Sequence, residues 1–207
     1  ASYKDQIENP NKYDYRDILA SAVAAARSQQ WQDAASLFEN VAQLNPYNRD
    51  ALYNLAVTYH ELGQYEKMLP YLYRLVAVDP GNADNWLLIA RAYNGLGKVA
   101  QKAKNTALHR AYNDSTVKYY TRSEQLPVNI IFTEFTTGEA KSTLAGTIEN
   151  RTAAEKSYNL RFEFLDRTGN VVGTKEVAVG PVGAKAKGRF TTTVEGQNIA
   201  AFRYAAP

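Results

Sequence analysis

The apolar positions of this chain change their period once. Through the first half they recur at every third or fourth residue, the spacing of one face of a helix, and after Pro127 they alternate. Between Arg49 and Asn82, Leu52, Leu55, Ala56 and Tyr59 form one helical stripe, and Tyr65, Leu69, Leu72 and Leu75 form the next. Gly63 falls between the stripes, where a helix end commonly requires a positive φ. Pro80, with Asp79 before it, closes the second stripe because proline cannot continue helical hydrogen bonding. The spacing predicts a helix–turn–helix unit.

That unit is restated. Asn45-Pro46-Tyr47-Asn48 returns 34 residues later as Asp79-Pro80-Gly81-Asn82. In the same register Ala22 aligns with Ala56 and Ala90, Ala25 with Tyr59 and Tyr93, and Gln29 with Gly63 and Gly97. Trp31 aligns with Tyr65 and Val99, and Phe38 with Leu72, which marks units at 15–48, 49–82 and 83–116. Small Ala56 and Ala90 would let paired helices approach closely while the aromatic residues fill the space between them. These residues resemble the tetratricopeptide repeat, most closely in the middle unit. The resemblance implies a solenoid of antiparallel helix pairs whose first helices line a concave groove that receives a peptide or partner helix.

The ends of the array depart from the pattern. In the third unit Lys102 replaces the small residue expected and Thr106 stands where Phe38 and Leu72 stood. From Lys98 no proline or glycine interrupts the chain before Leu126, which predicts a long polar terminal helix with a thin stripe of Ala100, Ala103, Ala107, Leu108, Ala111 and Tyr112. A solenoid must end on a face that tolerates water, and such a helix supplies one. Asn113-Asp114-Ser115 is the place where it would kink or restart. At the other end Glu8-Asn9-Pro10-Asn11 echoes the repeated loop, so residues 1–7 are either the stub of another helix or a disordered tail. Asp14 or Asp17 would cap the first complete helix.

Beyond Pro127, VNIIFTEFT, STLAGTIEN, YNLRFEFLDR, VVGTKEVAV, KGRFTTTV and AAFRYA read as strands, with β-branched and aromatic residues at alternate places. Turn chemistry separates them at Thr137-Gly138, Asn150-Arg151, Thr168-Gly169-Asn170, Gly180-Pro181 and Gly196-Gln197. The expected fold is thus α+β and multidomain: a tetratricopeptide-like helical solenoid over 1–126, then a small antiparallel β-sandwich over 127–207 with Leu160, Phe162 and Phe164 facing inward. Gly146-x-Ile148-x-Asn150, Phe162-x-Phe164-Leu165-Asp166 and Gly169-x-Val171-Val172, with Gly180-Pro181 and Phe190 following, resemble the FxLYD-type immunoglobulin-like domain of bacterial exported and membrane-anchored proteins. Leu165 stands where that motif has its tyrosine. Asn150 and Asp166 are expected to bond turn backbone.

Composition changes the picture little. With 45% hydrophobic and 22% charged residues the chain is globular, and a net charge of +3 does not point to nucleic acid or to a membrane surface. The basic clusters Lys98–Lys104 and Lys185–Arg189 read as solvated faces. The absence of cysteine removes disulfides, zinc–thiolate sites and thiol nucleophiles together. His60 and His109 lie on different helices without a ligand at metal-binding spacing, no serine sits in a nucleophile elbow, and Gly95-Leu96-Gly97-Lys98 lacks the rest of a phosphate loop and reads as a helix terminus. No catalytic, cofactor-binding or metal-binding residue is expected.

What remains is the groove. The inward-facing places of the first helices are Arg16, Leu19, Val23 and Arg27, then Asp50, Tyr53, Asn54, Val57, His60 and Glu61, then Asp84, Leu87, Arg91 and Asn94. Relatives that bind chaperone tails clamp a carboxylate with a lysine and an asparagine in the first unit; Leu19 and Val23 occupy those places and Asn54 alone matches, so no such clamp is expected. Arg16, Arg27, Tyr53, Asn54, Val57, His60, Leu87, Arg91 and Asn94 are the candidate contacts, with Tyr53 and Arg91 the anchors because aromatic and arginine side chains dominate hot spots. The expected role is a non-enzymatic adaptor binding a protein or peptide, not nucleic acid; the alternative is an envelope ligand- or glycan-binding sandwich with the repeats mediating assembly. The FxLYD resemblance implies a periplasmic or membrane-anchored location, possible contacts with envelope proteins, and a start at Ala1 that follows a removed or missing segment; cysteine-free cytosolic chains also exist.

Overall fold

The computed structural model describes residues 2–207. Helices α1 (Tyr3–Glu8), α2 (Tyr15–Arg27), α3 (Trp31–Leu44), α4 (Arg49–Glu61), α5 (Tyr65–Val78), α6 (Ala83–Lys102) and α7 (Thr106–Gln125) precede strands β1 (Val128–Thr136), β2 (Lys141–Asn150), β3 (Lys156–Leu165), β4 (Val171–Val182), β5 (Lys187–Glu195) and β6 (Ala201–Tyr204). The architecture is a helical part followed by antiparallel sheets. Residue 1, where a trimmed start is expected, lies outside the described residues.

Each first helix of a pair begins on a side-chain cap: Asp14 accepts from the Arg16 amide, Asn48 from Ala51 and Asn82 from Asp84. These bonds satisfy amides that the helix itself leaves without partners. The stripes seen in sequence become one continuous core. Ile18, Phe38, Leu52, Leu55, Leu72, Leu75 and Ile89 are fully buried, each contributing roughly 1.5–3 kcal/mol relative to exposure. Ala22 and Ala56 are fully buried as well and Ala90 nearly so, consistent with close helix approach at these places. Short α1 forms the helical stub, capped by Ser2 and held to α3 by Asn40, whose amide donates to the carbonyls of Gln6 and Ile7.

The third pair corrects three expectations. Gly97 does not end a helix; α6 runs through it to Lys102. The segment from Lys98 is not one continuous helix either, since the chain turns at Ala103–Asn105 and α7 begins at Thr106, while Asn113-Asp114-Ser115 is unbroken helix inside it. Lys102 and Thr106 therefore belong to the tip of a longer hairpin, and the unit extends to Gln125 rather than to residue 116.

The helix ends explain the shift. Gln30, Gln64 and Asn105 each donate from their amide to the carbonyl five residues back, at Ala25, Tyr59 and Ala100. The residue before each has a left-handed backbone: Gln29 at φ 58°, Gly63 at 68° and Lys104 at 57°. This is one helix-ending motif used three times, only once with glycine. In the third unit it comes seven residues after Gly97, two helical turns, so the helix keeps its buried face while growing longer. Both helices of this hairpin have 20 residues, against 13 in α4 and 14 in α5. No helix among the described residues is long and apolar enough to cross a membrane.

The strands form two three-stranded antiparallel sheets, ordered β1-β2-β5 and β4-β3-β6. They share one core that includes Ile130, Phe132, Leu144, Ile148 and Phe190 from the first and Leu160, Phe162, Phe164, Phe202 and Tyr204 from the second. Gly146 lies beneath the Phe190 ring, where a β-carbon would come within 2.7 Å of it. One turn falls elsewhere than expected: Gly180-Pro181 lies inside β4, joined by a cis peptide, and the chain reverses at Gly183–Ala186 instead. Asn150 and Asp166 bond turn backbone. Asn150 Nδ2 lies within reach of the Ala154, Val182 and Gly183 carbonyls, and Asp166 accepts from the amides of Thr168 and Asn170.

The sheets pack on the loops between helix pairs. Asn45 donates to the Ala200 carbonyl at 2.9 Å, and Gly81 accepts from the Ile130 amide at 2.9 Å. The Tyr47 ring lies so close to Gly169 that a β-carbon there would approach it within 2.4 Å. At the far end Arg151 donates to the Ser123 carbonyl, and Ser123 in turn donates to Ala83.

Candidate functional site

Helices α2, α4 and α6 stand in a row, each leaving one face uncovered by the second helices. Along α4, Tyr53, Val57 and His60 share that face at the i, i+4, i+7 spacing, about 10 Å from end to end. Arg16, Tyr53, Asn54 and Leu87 lie in the first halves of α2, α4 and α6, Arg27 and His60 in the last turns of α2 and α4, and Arg91 and Asn94 midway along the longer α6.

The side chains differ in how free they are. Arg16 is held: Nε and Nη2 reach the Asp14 carboxylate at 3.0 and 2.8 Å, and this guanidinium keeps the Asp14 carboxyl at about 2. The pair borders a cleft of about 640 Å³ between α2 and the loops carrying Gly138, Asp166 and Asn198. Asn54 turns back to its own helix, donating to the Asp50 carbonyl at 2.8 Å. Val57 is half-buried against the helical core. His60 sets its ring edge-on to Tyr65 and lies 3.4 Å from Glu61. Leu87 is half-buried, and Arg27, Arg91 and Asn94 are exposed.

Tyr53 is 38% exposed and occupies the junction of the two parts. It lines a cleft of about 150 Å³ with Arg49, Asp50, Asn82, Asn85 and, from β1, Ile131 and Phe132. The structure thus brings Tyr53 beside the first strand, while His60 stands two helical turns further along α4.

Beneath this junction is a polar cluster that sequence reasoning did not single out. Asp79, 1% exposed, accepts from the Tyr204 hydroxyl at 2.6 Å and from Asn85 Nδ2 at 3.0 Å. Tyr204 also accepts from the Gly81 amide at 3.0 Å. The Arg49 guanidinium lies 4.9 Å over the Phe132 ring and 5.7 Å from that of Phe202, with Nη1 3.9 Å from Asp79 and Nη2 3.0 Å from Asp50. Burial pushes the Asp79 carboxyl up despite Arg49 and these hydrogen bonds, and burial followed by the Asp79 charge pushes Tyr204 well up. One clue was available. Asn45 and Asp79 occupy the same place in the repeat, and each is a buried polar residue bonded to the sheets.

The remaining candidates for chemistry are occupied structurally. His109 Nδ1 lies 2.9 Å from the Gly97 carbonyl and Nε2 3.1 Å from Asn113 Nδ2, which ties α7 to α6. Asp166 is held at about 2 by Asn170 and then Thr168, within its own turn. Tyr73, Tyr93 and Tyr119 converge through their hydroxyls, and the Tyr119 ring stacks on those of Tyr93 and Trp86. Among the described residues no group of three or more histidines, cysteines or carboxylates could hold a metal ion.

Residues 25–67, from the last turn of α2 to the start of α5, match the tetratricopeptide repeat family, which supports reading the helix pairs as repeats of this kind. No curated protein matches the chain in sequence. Among solved structures, a thermophilic TPR protein of Thermus thermophilus, TTC0263, is 24% identical over 55% of this chain and 57% of its own, with a TM-score of 0.47. MamA of Desulfovibrio magneticus RS-1 is 21% identical over 54% of this chain and 78% of its own, with a TM-score of 0.38. A DUF1425 family member from Shewanella sp. pv-4 is 13% identical over 38% of this chain and 74% of its own, with a TM-score of 0.31. The chain thus spans little more than half the length of the Thermus protein.

Proposed function

We propose that this chain is a non-enzymatic interaction scaffold whose groove along α2, α4 and α6 receives a protein or peptide partner. The observation that carries the reading is Tyr53. A large aromatic side chain stands partly exposed where the groove meets β1, in a helical row otherwise packed by buried apolar residues. Aromatic and arginine side chains supply most interface energy, and Arg91 stands exposed on the neighbouring helix without an ion-pair partner among the described residues. The sandwich is the weaker candidate for a glycan. Its aromatic rings face its own core, leaving only half-buried Phe135 near the surface among the described residues.

We place the scaffold in the bacterial envelope on the strength of the FxLYD-like residues of β2, β3 and β4. Affinity capture from envelope fractions tests both parts of the reading. The intact chain should retain a partner that the Tyr53→Ala plus Arg91→Glu variant loses by roughly thirtyfold or more, the scale of a single hot spot of about 2 kcal/mol. Undiminished capture by the double variant would remove the groove assignment. Recovery of the native protein from cytosol alone would remove the envelope assignment.

A further inference from the structure

The two added turns of the α6–α7 hairpin differ from the rest of the molecule in charge. Between Asn85 and Asn113 stand five cationic side chains, Arg91, Lys98, Lys102, Lys104 and Arg110, and no carboxylate. The whole chain carries +3, so the remainder is −2 and the hairpin holds the entire excess. Among the described residues none of the five forms an ion pair. The cluster is also the most open part of the helical half, with every residue from Gln101 to Leu108 exposed. Two aliphatic side chains share this tip uncovered: Val99, 54% exposed, and Leu108, 45% exposed.

We propose that the tip of the α6–α7 hairpin docks on an anionic phospholipid surface. Lys98, Lys102 and Lys104 face the lipid phosphates, and Val99 and Leu108 enter the headgroup layer between them. The combination selects lipid over other polyanions. Nucleic acid rewards stacking surfaces and planar forks, and the tip from Lys98 to Leu108 carries no aromatic ring and no arginine. An interface with headgroups rewards flexible ammonium groups beside aliphatic side chains. Such contact is peripheral, in keeping with helices too polar to cross a bilayer. It differs from the groove in residues and in ligand, since Tyr53 and its cleft lie at the other end of the helices.

Each cation near an anionic leaflet strengthens binding about fivefold at moderate salt, so three lysines contribute on the order of a hundredfold. The test is co-sedimentation of the full chain with vesicles of phosphatidylcholine, or of phosphatidylcholine and phosphatidylglycerol in equal parts. Binding to the mixed vesicles alone, weakening as salt rises, is expected. Lys98→Glu, Lys102→Glu and Lys104→Glu together should reduce it at least about a hundredfold, and Val99→Ser with Leu108→Ser severalfold. All these positions are exposed, and circular dichroism checks that each variant folds; the triple change to Gln replaces any that does not. No binding to mixed vesicles, or binding unchanged by the lysine substitutions, overturns the proposal. So does tighter binding of duplex DNA or polyglutamate than of the vesicles.

Discussion

Glycine at three positions does three different things. Gly63 ends a helix in a left-handed conformation, with open space where a β-carbon would go. Gly95 lies inside α6 with the Tyr65 ring against its backbone, and a β-carbon there would meet Cδ1 and Cγ at 2.4 Å. Gly97 lies inside the same helix, facing α7. The sequence shows all three as glycine and cannot tell a turn from a close approach, because that depends on which ring crosses the helix. Gly95→Ala should therefore destabilise the protein. Helix propensity favours alanine by about 1 kcal/mol, but overpacking against a ring anchored at Cγ costs roughly 1–3 kcal/mol. A net loss of about 1 kcal/mol is expected in urea denaturation; a gain would show that Tyr65 moves aside freely.

Among elements, the telling comparison is between the helix ends at Gln29, Gly63 and Lys104. The 34-residue register pairs Gln29 with Gly63 correctly, and the structure gives both the same left-handed stop. It fails at Gly97 because the third pair gains two turns at its tip, and a whole number of turns leaves the hydrophobic stripe undisturbed. Periodicity is thus blind to this insertion. The shared geometry predicts that Gln29→Gly stabilises the protein. Relief of left-handed strain contributes about 1–2 kcal/mol, and the added freedom of the unfolded chain takes back about 0.4–1 kcal/mol. The thermal midpoint should rise by a few degrees; a fall would mean that the Gln29 side chain makes a stabilising contact of its own.

For the molecule as a whole, the decisive contact is the buried cluster of Arg49, Asp79 and Tyr204. It joins the start of α4, the end of α5 and the last strand, so the groove and the sheets meet at one place. Asp79 has a carboxyl raised by burial, so the folded state binds its proton more tightly than the unfolded chain does. Stability from this group is fully present below the ordinary carboxylate value of 3.8 and is lost as pH rises through the raised folded value. Asp79→Asn should flatten that part of the stability–pH curve, measured by urea denaturation from about pH 3 upward, just below the unfolded value. A curve of unchanged slope would mean that Asp79 is not the group responsible. Asn45 belongs to the same picture, since its repeat position serves the same docking surface.

Spacing along single elements is enough to place the two periods, the first two helix pairs, the strand-forming segments and the inward face of the sandwich, and these were legible in the sequence. What those elements do to one another came from the tertiary structure. The repeated loops at Asn45–Asn48 and Asp79–Asn82 read only as breaks that close a helix in sequence, and in the fold they are the platform on which the sheets rest. Tyr53 became the junction residue only when β1 was laid beside it. Local spacing carries no information about contacts such as Asn45 with Ala200 or Asp79 with Tyr204, which join residues more than a hundred positions apart.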